Sequence, residues 1–350
     1  MADGACRPPG GRLPARAGVG VLRGLSGGMV HERGGAHARV SRLAGVGAAL
    51  PAAPRGPHAG ARMSADRLRA LADGPSPVVL PGVYDGLSSR LAVQAGFTAL
   101  VVSGYSVAAS RLGLPDFGYL TQTEITDAAR DLVAAVPGVP VIVDADTGYG
   151  NALSAARTAR LLHGAGAAGI IIEDQQWPKR CGHMDGKSIV ARDEWLAKIR
   201  AVTDLRDEGI DLFLIARTDA RGLEGLDEAI ARGRAAADLG ADAIFVEAPL
   251  DRDELARIGS ELAGARPVAN MVEGGRTPIV PTPELGDMGF RLVLWGISAI
   301  LAAGHALRAT YRALAGTGSG PDPSALMTFG EITDAVGLPG HRRLDERYSA

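Results

Sequence analysis

Two carboxylates stand at the end of a short aliphatic stretch, separated by a single residue. Asp144 and Asp146 follow Val-Ile-Val in the run Val-Ile-Val-Asp-Ala-Asp-Thr-Gly-Tyr-Gly-Asn. Alternate side chains of an extended chain point to the same side, so both carboxylates should face one space. Like charges held this close require a cation, unless one of them stays protonated. Their hard oxygens suit Mg²⁺, with Mn²⁺ as a possible substitute, and Glu173 at the end of the next predicted strand could complete the ligand set.

A thiol, an imidazole and two cations share one loop further along, in the run Lys179-Arg180-Cys181-Gly182-His183. Neighbouring positive charge lowers the pKa of a thiol. We therefore expect Cys181 to donate or accept a proton near neutral pH. Zinc is a poor interpretation of this loop, because one Cys-x-His pair supplies only two ligands.

Other polar side chains follow later predicted strands. Arg217 has the planar fork that binds a carboxylate, and Glu247 and Asn270 could bind other substrate oxygens or orient Arg217. Each polar residue also has a purely structural interpretation, because buried polar groups are commonly paired within a fold and Asp is a favoured helix cap. Asp144 or Asp146 could therefore cap the following helix. These alternatives stay open at the level of sequence.

Short aliphatic runs alternate with amphipathic helical stretches after residue 75, which predicts a parallel sheet with crossover helices. Eight such units predict a closed (β/α)₈ TIM barrel. The predicted strands cover residues 78–80, 99–102, 139–143, 169–172, 212–216, 243–246, 267–269 and 292–294. The predicted helices include residues 121–136, 153–165, 193–205, 226–239 and 252–262. Polar residues after nearly every strand favour one central site at the carboxyl ends of a closed ring over the single crevice of an open sheet.

The first 62 residues differ in composition from the rest of the chain. They contain nine Arg, no Lys and only two acidic residues, among many Gly, Ala and Pro. Such a segment buries too little apolar surface to offset its ordering entropy, so we expect a disordered or non-native extension. It could be a transit peptide, or an upstream extension with Met63 as the natural start. Residues 63–350 are then expected to form one catalytic domain.

Composition excludes several other classes of protein. No run of eighteen apolar residues exists, so no membrane-spanning segment is predicted. The chain has two cysteines, too few for a disulfide framework, which agrees with a reducing, cytoplasmic location. The mildly acidic body has no basic surface expected of a nucleic-acid partner.

Seven segments of the chain resemble the isocitrate lyase and phosphoenolpyruvate mutase superfamily, over roughly residues 75–350. The resemblance implies a barrel whose C-terminal helix is swapped between subunits of a homotetramer built as a dimer of dimers. It also implies a Mg²⁺-held enolate formed from a small carboxylic acid substrate. The matching segments are Ser103-Gly104, Leu112-Gly-Leu-Pro-Asp116, Asp144-Ala-Asp-Thr-Gly-Tyr-Gly-Asn151, Glu173-Asp-Gln, Lys179-Arg-Cys-Gly-His183, Ala216-Arg-Thr-Asp-Ala220 and Ala269-Asn-Met-Val-Glu-Gly-Gly-Arg-Thr-Pro278.

The same resemblance implies a role for each matching residue. Cys181 is expected to be the general acid, and Asp116 and Lys179 to line the gating loops. The metal is expected on Asp144, Asp146 and Glu173. The full set of expected catalytic residues is Cys181, Arg217, Lys179 and His183, and the expected substrate contacts are Ser103, Gly104, Tyr105, Asp116, Gly182, Glu247 and Asn270.

The branch of the superfamily is harder to assign. The Cys-Gly-His loop is similar to that of the carbon–carbon lyases, but two arginines expected in 2-methylisocitrate lyases are absent near Leu301 and Phe329. A tricarboxylate would leave charge unpaired, so we expect a smaller 2-hydroxy dicarboxylate, such as an alkylmalate, that is cleaved to a 2-oxo acid and a second carboxylate. Carboxyphosphonoenolpyruvate phosphonomutase is the alternative. A barrel that binds a metabolite without turning it over is a more distant one.

Overall fold

The computed structural model describes residues 57–349, with side chains from residue 65 onward. Eight strands alternate with helices along this part of the chain. The strands are β1 (Val78–Val83), β2 (Leu100–Val102), β3 (Val141–Asp144), β4 (Gly169–Glu173), β5 (Phe213–Thr218), β6 (Ala243–Val246), β7 (Pro267–Asn270) and β8 (Leu292–Trp295). The helices are α1 (Pro57–Ala72), α2 (Gly86–Gln94), α3 (Gly104–Val107), α4 (Gln122–Ala135), α5 (Ala152–Gly164), α6 (Arg192–Thr203), α7 (Leu226–Asp238), α8 (Arg252–Glu261), α9 (Thr282–Asp287), α10 (Ser298–Thr317), α11 (Phe329–Ala335) and α12 (Leu338–Tyr348).

All eight strands are parallel and close into a ring in chain order. β1 closes the ring by pairing with β8, with Val79 opposite Val293. The predicted (β/α)₈ barrel is therefore confirmed, and each predicted strand overlaps an observed one within a few residues.

Alternation along the strands separates two hydrophobic clusters. Val141 and Val143 of β3 pack with residues of the surrounding helices, whereas Ile142 joins Phe213 and Leu292 of other strands. Successive side chains of a strand point to opposite faces, so the second cluster is the interior of the barrel. Leu68, from α1, belongs to that interior cluster. α1 therefore closes the end of the barrel opposite the carboxyl ends of the strands.

Ion pairs hold α1 in this position. Arg69 lies 2.6 Å from Asp211 and 2.8 Å from Asp242, in the segments that lead into β5 and β6. The domain boundary predicted after residue 62 falls inside α1, which begins at Pro57. Residues 1–56 lie outside the described part of the chain, so the predicted extension stays a prediction.

The C-terminal helices differ from those around the barrel. α10 follows β8 for 20 residues, and none of its side chains is buried. Apolar side chains stand on its exposed surface, including Leu307, Tyr311 and Leu314.

Nothing in residues 57–349 forms a helix long and apolar enough to cross a membrane. The cytoplasmic location stays a prediction.

Candidate active site

One cavity opens at the carboxyl ends of the strands, where the sequence predicts a central site. Ten of the fourteen predicted site residues line it, and the other four (Gly104, Asp146, Glu173 and Lys179) contact or adjoin them. Apolar side chains from several strands and from the loops after β7 and β8 complete the wall. The ten predicted lining residues are Ser103, Tyr105, Asp116, Asp144, Cys181, Gly182, His183, Arg217, Glu247 and Asn270.

Hydrogen bonds within the loop after β3 orient the two predicted metal-binding carboxylates, Asp144 and Asp146. The backbone amide of Asp146 donates to Oδ1 of Asp144 at 3.1 Å, and Tyr149 donates its hydroxyl to Oδ2 of Asp146 at 3.3 Å. Asp146 and Tyr149 both have positive φ, at 47° and 60°, a conformation that residues other than glycine adopt uncommonly. Asn151 caps α5 by accepting from the amides at 153 and 154. The helix-cap interpretation of Asp144 and Asp146 is therefore wrong.

Lys179 neutralises part of this charge. Its Nζ lies 2.6 Å from Oδ1 of Asp146 and 2.7 Å from Oδ1 of Asp116, and all three side chains are buried. Burial alone would lower the pKa of Lys179, but the negative charge of Asp146 and Asp116 raises it well above its usual value. Lys179 thus stays charged and ties the two loops that contain Asp116 and Cys181 to the carboxylate loop.

More negative charge is buried here than Lys179 can balance. Burial raises the pKa of Asp146 to about 7 and the pKa of Glu173 well above its usual range. Neither oxygen of Glu173 has a hydrogen-bond partner in the described part of the chain, although Nε of Arg217 lies 3.3 Å from Oε2. A Cβ on Gly104 would lie 3.0 Å from Oδ2 of Asp144 and 3.5 Å from Oδ1 of Asp146. Glycine therefore keeps a small oxygen-lined space open above both carboxylates.

A divalent cation fits this space in a particular way. No three His, Cys, Asp or Glu side chains among the described residues converge closely enough to hold a metal by themselves. Mg²⁺ is commonly bound through one or two carboxylates, with water and substrate oxygens in the remaining positions. The residues present fit such a partly hydrated ion, so Asp144, Asp146 and Glu173 are its candidate holders.

Arg217 is fixed by the carboxylates of Glu173, Asp219 and Glu247. Nε lies 3.0 Å from Oδ2 of Asp219, Nη2 lies 3.2 Å from Oε2 of Glu247, and the guanidinium carbon stands 5.2 Å from the centre of the Phe245 ring. Burial alone would lower the pKa of Arg217, but Asp219 and Glu173 raise it well above its usual value. A permanently charged guanidinium in fixed orientation therefore lines the cavity, as binding of a carboxylate requires.

The loop after β4 places Gly182 and His183 against the end of β6. A Cβ on Gly182 would collide with Glu247 and Arg217, so only glycine allows this close approach. The Nδ1 atom of His183 accepts from the amide of Arg276 at 3.0 Å, and Nε2 lies 3.2 Å from Oε1 of Glu247. The proton of a neutral His183 ring is then on Nε2, toward Glu247. Burial alone would raise the pKa of Glu247, but Arg217 and His183 lower it to about 2.

The expected lowering of the Cys181 pKa is wrong. Burial, together with the nearby charges of Asp116 and Glu247, raises the pKa of this thiol to about 11. The adjacent cations do not act on it as predicted, because Lys179 pairs with carboxylates and Arg180 stacks 5.2 Å from the centre of the Phe117 ring. Cys181 is therefore a protonated thiol at neutral pH, suited to donate a proton rather than to act as a nucleophile.

Two residues with buried side chains at this site, Asp219 and Lys187, were not among the predicted site residues. Asp219 orients Arg217, and its spacing of two residues from Arg217 along β5 and the turn that follows was the available signal. Lys187 bonds Asp219 at 2.7 Å from a position beyond the predicted loop. Nothing in the sequence distinguishes Lys187 from an ordinary surface lysine.

The chain matches the family model described as phosphoenolpyruvate phosphomutase over residues 68–315. It belongs to this family. The membership confirms the resemblance to the isocitrate lyase and phosphoenolpyruvate mutase superfamily, and the chain is an enzyme of that superfamily.

Relatives with several different activities are similar to this enzyme. It is 46% identical to the chloroplastic carboxyvinyl-carboxyphosphonate phosphorylmutase of Arabidopsis thaliana, over 78% of this chain and 81% of the relative. It is 40% identical to the 2,3-dimethylmalate lyase of Eubacterium barkeri, over 82% of this chain and 98% of the relative. A solved structure of oxaloacetate acetylhydrolase with the inhibitor 3,3-difluorooxalacetate superposes with a TM-score of 0.79 at 37% identity, covering 82% of this chain and 97% of that one.

The raised thiol pKa predicts how Cys181 reacts. In a Cys6→Ser background Cys181 is the only thiol, and its alkylation by iodoacetamide should become about tenfold faster per pH unit from pH 7 to 10. The reason is that only the thiolate reacts, while the pKa of about 11 keeps it scarce across this range. In the same protein unfolded in urea, the alkylation rate should instead level off above the ordinary thiol pKa of about 8.5. A native profile that levels off at or below pH 8.5 would contradict the buried, protonated thiol.

Proposed function

We propose that this enzyme is a Mg²⁺-dependent carbon–carbon lyase, able to use Mn²⁺, that cleaves a small 2-hydroxy dicarboxylate of the alkylmalate type. The products are a 2-oxo acid such as pyruvate and a second carboxylate. The observation that supports this most directly is a protonated thiol, Cys181, on the same cavity as the cationic Arg217 and the carboxylate Asp144. A retro-aldol cleavage needs this combination, because charge develops on oxygen and a proton must be supplied to carbon.

Each group has one task in the proposed reaction. The C2 hydroxyl gives its proton to a carboxylate that lines the cavity and becomes the carbonyl of the 2-oxo acid. The electron pair of the broken C2–C3 bond moves to C3, conjugated with the departing carboxylate, and Cys181 donates the proton that C3 takes. Return of the hydroxyl proton to the thiolate restores Cys181. Arg217 binds a substrate carboxylate in a fixed orientation. When bound, the divalent ion would supply electrophilic stabilisation of the oxygens that gain negative charge. Ser103, Gly104, Tyr105, Asp116, Gly182, Glu247 and Asn270 are the proposed substrate contacts, and Lys179 and His183 hold the loops around them.

The wall of the cavity favours a small substrate with alkyl groups. Arg217 is the one arginine or lysine among the described lining residues, so a third substrate carboxylate would have no guanidinium partner. Leu301 and Phe329, near which the two arginines of 2-methylisocitrate lyases were expected, lie on α10 and α11 and do not line the cavity. Apolar side chains instead offer contacts to alkyl substituents, namely Val101, Ile171, Phe245, Val272, Leu294 and Ile297.

A panel of candidate substrates tests this proposal. Coupled detection of pyruvate should show turnover of 2-methylmalate and 2,3-dimethylmalate. The kcat/KM for methylisocitrate should be lower by at least about 10²-fold, because a buried carboxylate without a cation costs several kcal/mol. Turnover of carboxyphosphonoenolpyruvate alone would favour the phosphonomutase, the activity named for the Arabidopsis relative. Release of oxalate from oxaloacetate alone would favour the hydrolase.

The thiol variant shows whether the turnover comes from this site. Cys181→Ser should lower kcat by about 10²–10⁴-fold, the usual contribution of a general acid, while KM changes little. Cys6→Ser is the matched control and should retain the parent kcat. An unchanged kcat in Cys181→Ser would remove the thiol from the mechanism.

Metal removal is the second test. EDTA should lower kcat by at least about 10²-fold, because the buried carboxylates then face the substrate without a cation, and added Mg²⁺ or Mn²⁺ should restore it. Circular dichroism before and after chelation controls for unfolding. Full activity after exhaustive chelation would refute the role proposed for Asp144, Asp146 and Glu173.

We also propose that α10 is swapped onto a neighbouring barrel, within a homotetramer built as a dimer of dimers. In support, α10 has no buried side chain within its own chain, and Tyr311 on it is 63% exposed. A 20-residue helix with this much exposed apolar surface is typical of one that packs against a partner.

Light scattering after size exclusion tests the assembly. The parent protein should have the mass of four 36.0 kDa chains. Tyr311→Glu should shift it to smaller species, because the new charge would be buried at the interface. Leu153→Glu makes the same change to charge at an apolar residue that is 78% exposed on α5, and it should leave the mass unchanged. A monomeric parent at micromolar concentration would contradict the swap.

A further inference from the structure

Lys187 is a buried cation that the proposed mechanism does not use. Its side chain is 7% exposed, and Nζ donates to Oδ1 of Asp219 at 2.7 Å and also to the backbone carbonyl of Gly182. One ammonium thus bridges the loop that contains the thiol and a carboxylate beyond the end of β5. Burying a lysine is costly unless it is paired, so this placement must be held by both partners.

Asp219 shares its charge between two cations. It accepts from Nε of Arg217 at 3.0 Å and from Nη2 at 3.3 Å, in addition to the bond from Lys187. Its own backbone amide donates to Asp174 at 2.8 Å, which anchors it to the end of β4. A displacement of Lys187 therefore affects the group that orients Arg217 as well as the loop.

Lys179 anchors this loop before Cys181, through its buried ion pairs with Asp116 and Asp146, and the contacts after Cys181 differ in strength. On the outside, Arg276 bonds Asp185, but their side chains are 38% and 95% exposed, and exposed ion pairs contribute little. On the inside, the amide of Cys181 donates to the carbonyl of Asp116 at 3.1 Å, an ordinary backbone bond. Lys187 is distinct from these contacts because its buried, charge-assisted bonds reach both the Gly182 carbonyl and the carboxylate that orients Arg217.

We propose that Lys187 is a positioning residue that holds the proton donor Cys181 and the carboxylate-binding Arg217 in one geometry, through Gly182 and Asp219. The kinetic part of this inference rests on the proposed lyase function. The structural part does not rest on that function, because it concerns only how accessible the Cys181 thiol is to a reagent.

Thiol accessibility tests the structural part without any substrate. In the Cys6→Ser background, Lys187→Met should accelerate alkylation of Cys181 at pH 8 by at least about tenfold, the factor expected for losing a hydrogen bond to a charged group. Removing a positive charge by itself would raise the thiol pKa and slow the reaction. Faster alkylation therefore reports an opened loop. Lys187→Arg retains the charge and should return the rate most of the way to that of the parent.

Kinetics then test the link to catalysis. Lys187→Met should lower kcat/KM by about 10²-fold for whichever substrate the parent turns over, because small displacements of reacting groups have effects of this size. Lys187→Arg should recover part of the loss. If no candidate substrate is turned over by the parent, the lyase proposal fails, yet the alkylation result still decides whether Lys187 holds the loop.

Arg69→Met is the matched control. It removes a cation from a comparable network of buried carboxylates at the other end of the barrel. It should lower the melting temperature while leaving the alkylation rate and kcat/KM near those of the parent. The proposal is overturned if natively folded Lys187→Met is alkylated no faster than the parent, or if Arg69→Met accelerates alkylation as much as Lys187→Met does.

Discussion

Lys179 and Arg217 lie buried among five carboxylates at the mouth of the barrel, and the balance between these charges governs the whole site. Lys179 pairs with Asp116 and Asp146, and Arg217 contacts the carboxylates of Glu173, Asp219 and Glu247. Charges in a medium of low dielectric must be compensated locally, because solvent cannot screen them. These ion pairs link the loops after β2, β3 and β4 to one another and the ends of β4, β5 and β6 to one another. The negative charge that remains uncompensated surrounds the place where a divalent cation fits.

The same charge balance explains why the thiol behaves differently from its neighbours in sequence. Cys181 follows two cations along the chain, but Lys179 is turned toward carboxylates and Arg180 toward the Phe117 ring. Burial contributes most to keeping the thiol neutral, and the charges of Asp116 and Glu247 add to it, outweighing the opposing effects of the His183 backbone and Arg217. A group that must deliver a proton at neutral pH benefits from this environment, whereas a nucleophile would need the opposite one.

Glycine has a specific purpose at two positions in the site. At Gly104 the missing side chain leaves room above Asp144 and Asp146, and at Gly182 it lets the loop backbone approach Glu247 and Arg217. The cavity is thus bounded partly by backbone, which brings fixed dipoles close to a substrate and adds no side chain that must be ordered.

The sequence by itself determined the barrel and most of the members of its site. Alternating aliphatic strands and amphipathic helices have a periodicity that is visible in one dimension, and parallel strands in a closed ring must end at the same rim. Residues at the carboxyl ends of those strands, such as Asp144, Arg217 and Asn270, are therefore brought together whatever the details of packing.

The tertiary structure alone decided how these residues are charged and what holds them. The protonation of Cys181, the pairing of Lys179 with Asp146 and the bridge from Lys187 to Asp219 all depend on contacts between distant segments. Neighbours along the chain do not reveal such contacts, because a side chain in a loop can turn toward either side. Electrostatic free energy depends on distance and burial in space, and neither quantity is contained in the spacing of residues along the sequence.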